Sequence, residues 1–343
     1  MKHVFLSLLC LAASPVLSQE AFSFRRPCMG TVWTIKIYVK DETTATRAAE
    51  AAFDRVEDLN RKLSDYLPDS ELSQLSATAG RGMAVTVKGD LLTVLGYAQQ
   101  AAAESGGVFD ITIGPCVQLW RTAKKSRTLP DPKALEAALA ATGWESLALD
   151  PAAGTALLKK SGMKLDVGGI AKGFAQDEAM KVLREEFHIT SALIDCGSPL
   201  VSARPPGRNS WNIALAKTGE DDDDFVLQVE NACVDTSGDL NQFVEIDGRR
   251  FSHIIDKKTG LGMELPTQAT VVARTATQAD WMATALCLMG PEAGVRFAAE
   301  THPEVQVRII QRQPDGRLKR AQSPGFEKLL HKVPVEAPAA KKD

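Results

Sequence analysis

Apolar residues in this chain recur with two different periods, and the segments that carry them do not alternate regularly. Residues 31–39, TVWTIKIYV, put Trp33, Ile35, Ile37 and Val39 on one face, the two-residue period of a half-buried strand. Residues 43–63 instead place Ala48, Ala52, Val56, Leu59 and Leu63 at helical spacing. A short helix capped by Asp69 or Ser70 is expected next, then one from Asp90 to about Glu104 that Ser105-Gly106-Gly107 stops. VFDITIGP (108–115) reads as a strand ending at Gly114-Pro115; SALIDCG, QATVVA and VQVRII read as strands too. Thr275 and Gln278 have capping-box spacing, opening a helix that Gly290-Pro291 ends. Strict β-α-β units would interleave single strands and helices. This order predicts an α+β fold, with mixed or antiparallel sheets flanked by helices, in one unit over residues 22–330.

The 343 residues are 44% hydrophobic with a net charge of -3, enough for a large core and without the basic excess that a nucleic-acid partner requires. The opening MKHVFLSLLCLAASPVLSQ has an apolar run from Val4 to about Ala13 followed by small residues. That is the pattern of a signal peptide (residues 1–18) cut after about Ser18, too short to span a membrane, so a soluble periplasmic protein is expected. Cys10 lies too early in the run for a lipid anchor. Cys28, Cys116, Cys196, Cys233 and Cys287 are odd in number and irregular in spacing, so they read as buried fillers, with one disulfide left open. The run Asp221 to Asp224 is expected to be a solvated loop, with a calcium site as the alternative, and the tail 331–343 to be disordered.

Four stretches carry chemistry. KLDVGGIAKGFA (164–175) reads as a short strand, two glycines, Lys172, Gly173 and a helix start, a place where backbone N–H groups and a helix dipole meet an anion. Its spacing fits neither a P-loop nor a dinucleotide fingerprint. Asp280 and Thr284 lie one helical turn apart. Either Thr284 bonds back to the Asp280 carbonyl while Asp280 meets an arginine, or the two form an oxygen-only site for a hard cation such as Mg²⁺. His253, in FSHIIDKKTG, is a structural strand-end residue, or a general base or a hydrogen-bond donor to phosphate; no second histidine stands near it for zinc. Phe109 and Asp110, after a glycine pair, offer an aromatic edge and a carboxylate to the ring N–H of a flat heterocycle.

The series MGTVWTIKI, YLPDSELSQL, GGVFDITIGP, LDVGGIAKGFA, SALIDCG, DTSGDLNQF, FSHIIDKKTG and ATQADWMATAL runs in one order over roughly residues 28 to 300. It resembles the FAD:protein FMN transferase (ApbE) family. The resemblance implies a single catalytic unit that binds FAD and Mg²⁺ and moves FMN onto a Ser or Thr hydroxyl of a partner protein, releasing AMP. The acceptor would be a membrane or periplasmic redox subunit. It further implies that Met29, Tyr66, Val108, Phe109, Asp110, Asp166, Lys172, His253 and Ile255 contact the flavin nucleotide. Gly169 (through its carbonyl), Asp280 and Thr284 would hold the metal. His253 would take the acceptor proton, with Asp256 orienting it. Departures from the family pattern fall at Ser198, Leu240 and Lys257. An FAD pyrophosphatase giving FMN and AMP, or a non-catalytic flavin-binding protein, are the alternatives.

Overall fold

The alternating segments assemble into one antiparallel sheet of eight strands that lie side by side in chain order. They are β1 (Glu20–Cys28), β2 (Thr31–Val39), β3 (Ala192–Asp195), β4 (Leu200–Ser202), β5 (Ala232–Gly238), β6 (Thr267–Ala273), β7 (Gln306–Arg312) and β8 (Leu318–Gln322). The computed structural model describes residues 20–215, 225–239 and 243–332. The signal-peptide segment, the Asp221–Asp224 run and Leu240 lie outside the described residues. So does the tail, except that a strand (Leu330–Lys332) runs two residues into it.

The longer helices are α1 (Glu42–Leu63), α2 (Glu71–Ser76), α3 (Gly89–Glu104), α4 (Gly114–Ser126), α5 (Pro132–Ala140), α6 (Ala171–Glu185), α7 (Ala276–Met289) and α8 (Pro291–Thr301), and one short turn of helix follows at Pro324–Glu327. Ser70 caps α2, accepting from the Ser73 N–H, and Thr275 caps α7, accepting from the Gln278 N–H. The Gln278 amide does not return to the cap; it reaches Glu304 and the His302 ring.

Trp33, Ile35 and Ile37 of β2 are fully buried, each contributing about 1.5–3 kcal/mol of burial. With α1, α6 and α7 they form the main core. Val201, Val234 and Val272 point from the opposite face into a second cluster with Trp211, Leu227 and Phe326. Every residue of β6 is therefore buried. Helix α7 is apolar around its circumference because it lies between the sheet and other helices. The five cysteines of the described residues are buried and unbridged.

Two expected strands are absent. Residues 108–113 form turns: Asp110 Oδ1 accepts from the Thr112 N–H and hydroxyl, and the Ile113 N–H returns to the Asp110 carbonyl. Gly114-Pro115 opens α4 instead of closing a strand. The segment before the glycine pair keeps a single parallel bridge, Lys164 to Ile113, because the Leu165 N–H donates to the Ser76 hydroxyl.

Candidate functional site

Helices α6 and α7 cross at Gly173. A Cβ there would stand 2.2 Å from the Ala276 carbonyl oxygen and 2.9 Å from Asp280 Cβ, so only glycine permits the approach. Asp177, one turn on in α6, accepts from the Ala276 and Thr277 N–H groups at 2.8 Å and fixes the start of α7. This crossing brings Lys172 and Asp280 together at the waist of a cleft. A hollow of about 430 Å³ lies on one side and a wider one of about 900 Å³ on the other. Tyr66, Gly168, Lys172, Ser237, His253 and Asp280 border both.

The expected residues sort between the two. Val108, Phe109, Asp110, Asp166, Gly169, Ile255 and Thr284 line the smaller hollow; Met29 lines the larger. Met29 and Gly30 form the two-residue β1–β2 turn with φ of 48° and 75°, the left-handed pair that such a hairpin requires. A non-glycine residue there costs about 1 kcal/mol.

Lys172 dominates the electrostatics. The Asp280 carboxylate, with Asp235 and Cys196 adding to it, pushes the Lys172 ammonium above the ordinary lysine range against the opposing effect of burial. Among the described residues it makes no hydrogen bond and no close ion pair. Burial raises Asp280, although the Lys172 charge opposes it. Asp235, on β5, is pushed up to about 7 by burial and by the Asp280 charge. Among the described residues the partners of Asp280 are thus the Gly173 N–H at 2.9 Å and the nearby Lys172, where an arginine was the alternative.

The donor set around Thr284 fits a hard cation. Thr284 Oγ1 would stand 3.2 Å from a Cβ on Gly169, and the Phe109 ring equally close, so glycine keeps that corner open. Carboxylate, hydroxyl and carbonyl oxygens are the ligands Mg²⁺ accepts, with water and phosphate oxygens completing its shell. Among the described residues no group of three His, Cys, Asp or Glu side chains could hold a metal ion.

His253 stands exposed just beyond the strand Arg249–Ser252, between buried Ser252 and Ile254. The hairpin that carries it packs through Phe251 on Trp120 of α4. The carboxyl that feels its charge is Asp239. Asp256, expected to orient it, does not line either hollow: its Oδ1 accepts from the Lys258 N–H at 2.9 Å and its carbonyl from Gly260, committing it to its own turn.

Asp110 departs from expectation as well. Its Oδ1 accepts twice from Thr112, and its Oδ2 accepts from the Trp144 N–H at 3.0 Å and faces Lys257 Nζ at 3.0 Å. A carboxylate has about four lone-pair sites. Three accept hydrogen bonds and Lys257 stands beside Oδ2 as ion-pair partner, so both oxygens are engaged within the protein.

Arg121 is the principal residue that sequence reasoning missed. From α4 it bridges Asp65 and Asp166, the latter at 3.1 Å, and its guanidinium lies 4.0 Å over the Tyr66 ring. Burial and the Asp65 charge raise the Asp166 carboxyl, while the Gly168 N–H and Arg121 counter them. Asp65, Lys124, Asp235 and Ser237 join the lining unannounced. Asp235 and Ser237 do fall within DTSGDLNQF, which could have marked them.

Comparison with known proteins follows the same outline. Residues 29–309 match the profile of the ApbE family. The chain is 30% identical over 326 residues to the FAD:protein FMN transferase of Haemophilus influenzae, covering 90% of this chain and 92% of that one. The FAD:protein FMN transferase of Vibrio cholerae is 30% identical over 341 residues, covering 96% and 98%. The solved structure of the flavin transferase ApbE from Vibrio cholerae superposes with a TM-score of 0.80 at 28% identity, covering 91% and 99%. The apo flavinyl transferase ApbE of Pseudomonas stutzeri gives 0.79 at 25%, covering 92% and 98%.

Proposed function

This chain belongs to the ApbE family, and we propose that it is an FAD:protein FMN transferase that moves the FMN half of FAD onto a Ser or Thr hydroxyl of a partner protein, releasing AMP. The observation that carries this reading is Lys172. A largely buried ammonium without a hydrogen-bond partner among the described residues, at the waist of two adjoining hollows, suits the diphosphate of a dinucleotide with one half on each side.

In this reading Asp280, Thr284 and the Gly169 carbonyl hold Mg²⁺, which supplies Lewis-acid stabilisation of charge on the diphosphate when bound. Lys172 fixes the diphosphate and meets the charge that grows as the bond to the leaving phosphate lengthens, so it favours the transition state over the ground state. His253 takes the proton from the acceptor hydroxyl, for which imidazole has a suitable pKa. The acceptor oxygen bonds to the FMN phosphorus, the diphosphate bridge breaks, and its oxygen leaves with AMP. Arg121 and Tyr66 form a rim that holds Asp166 in place. The first residues serve as an export signal, and the acceptor is a periplasmic or membrane redox subunit. Among the described residues no helix is long and apolar enough to cross a membrane.

Intact mass spectrometry tests this. The protein is incubated with FAD, Mg²⁺ and a flavin-acceptor domain, with a chelator control. A metal-dependent gain of one FMN on the acceptor, lost when its Ser or Thr becomes Ala, is expected. Release of FMN and AMP without an adduct would replace transfer by hydrolysis. FAD bound and left whole would leave a flavin-binding protein.

A further inference from the structure

Phe109, Ile113, Val117 and Ile255 give the smaller hollow an apolar lining, a slot whose chemistry suits a flat heterocycle. Asp110 beside them is buried and already engaged on both carboxylate oxygens. The polar group that remains at this wall is Lys257, which also lines the hollow. Lys257 Nζ lies 3.0 Å from Asp110 Oδ2 and donates to the Gly107 carbonyl at 3.1 Å. An ammonium carries three N–H donors in tetrahedral array. One is given to the Gly107 carbonyl and the charge is paired with Asp110, which leaves donor capacity for whatever enters the slot. Asp110 in turn anchors its own turn through Thr112 and, through the Trp144 N–H, the Gly143–Trp144 corner. The lysine is therefore held on both sides by backbone that cannot readily follow a ligand. Its side chain is 35% exposed and the Asp110 side chain 2%, so the ammonium, and not the carboxylate, is within reach of a ligand.

We propose that Lys257 is the specificity-determining donor of this slot: it gives a remaining N–H to a ring acceptor of the substrate heterocycle, so this wall selects a ring that presents an acceptor and not a ring N–H. This rests on the reading of the cleft as a flavin-nucleotide site. Both flat ends of FAD present ring acceptors, adenine through its ring nitrogens and the isoalloxazine through its nitrogens and carbonyls. The test decides which end is held here.

The experiment is equilibrium binding of FAD, FMN and AMP to the full-length protein and to Lys257→Met, which keeps the aliphatic stem but removes all three donors. Loss of a charged hydrogen bond is expected to weaken FAD and one of the two half-ligands by about tenfold or more, leaving the other half unchanged. Deaza analogues of the affected ring, each with one ring nitrogen replaced by C–H, then identify the acceptor. The partner analogue should lose affinity for the wild type and not for Lys257→Met. Thermal melting shows whether the variant is folded, and Lys257→Arg, which restores a charged donor, should recover part of the loss.

Equal affinity of a folded Lys257→Met for FAD, FMN and AMP would overturn the proposal. So would a complete set of deaza analogues that weaken both proteins alike. A wild-type protein that binds none of FAD, FMN or AMP, with or without Mg²⁺, would instead sink the flavin-nucleotide reading, and this inference with it.

Discussion

The Gly173 backbone N–H donates to Asp280 Oδ2 at 2.9 Å, across the closest approach of α6 and α7. One short contact thus fixes two features of the site, because Lys172 precedes Gly173 and Thr284 follows Asp280 by one turn. A methyl group at Gly173 would press on the Ala276 carbonyl at 2.2 Å. Alanine adds about 1 kcal/mol of helix propensity, but overpacking against backbone costs about 1–3 kcal/mol or more. Gly173→Ala is expected to be destabilised in urea unfolding and to bind FAD weakly. A variant as stable and as tight as the wild type would mean that the helices part freely.

Asp280→Asn keeps an acceptor for the Gly173 N–H while removing the charge a hard cation needs. Mn²⁺ titration followed by electron paramagnetic resonance should show at least about a tenfold loss of affinity, with circular dichroism unchanged. The removed charge is disfavoured by burial but is also the chief support of the Lys172 ammonium, so the variant should melt somewhat lower than the wild type while keeping its fold. Undiminished Mn²⁺ binding would remove Asp280 from the cation site.

His253 is exposed, yet it borders both hollows. A group that moves a proton and contributes little binding should separate rate from affinity. His253→Gln is expected to lower kcat by roughly a hundredfold and to change the Kd for FAD by less than about threefold. Loss of the two in equal measure would make His253 a binding residue only.

Helices α1, α2, α3, α7 and the start of α6, and strands β2, β3, β6 and β7, were legible because their signals are local; α4, α5, α8, β1, β4, β5 and β8 were not predicted. Thr275 and Gly290 bracket α7 in the sequence as they do in the structure. Residues 108–113 were misread because Val108, Asp110, Thr112 and their neighbours alternate as a strand would, whereas Asp110 bonds to Thr112 two residues on, a competitor that periodicity does not register. Within the cleft, Asp280, Thr284, Lys172 and His253, all from motif stretches, line the smaller hollow. Arg121 was not legible, since its partners Asp65 and Asp166 are distant in sequence and nothing in α4 distinguishes it from a solvated arginine. The partners of Asp110 were equally hidden, because Trp144 and Lys257 reach it from distant parts of the chain.

A charge cluster behind the site should set its acid stability. Asp90, at the start of α3, pairs with Arg55 at 2.6 Å and with Lys62 at 2.9 Å on α1, and Arg55 also holds Glu178 of α6, the helix that presents Lys172. Hydrogen bonds from Arg55 and then Lys62, which outweigh burial, hold the Asp90 carboxyl well below the usual carboxylate range. A carboxylate depressed in the folded state binds fewer protons there than in the unfolded chain. Its stabilisation is therefore fully present above the ordinary aspartate pKa and is lost as pH falls below it toward the folded value. Asp90→Asn should cost about 1 kcal/mol at pH 7, a figure kept small by the partly solvated position. The gap between variant and wild type should narrow at pH 3 and further toward pH 2, and 1 M salt should shrink it at pH 7 by roughly the extent to which screening reaches the pair. Urea unfolding of both proteins across that range checks the sign: a gap that widened on acidification would mean that Asp90 is not the ionised partner of Arg55 and Lys62.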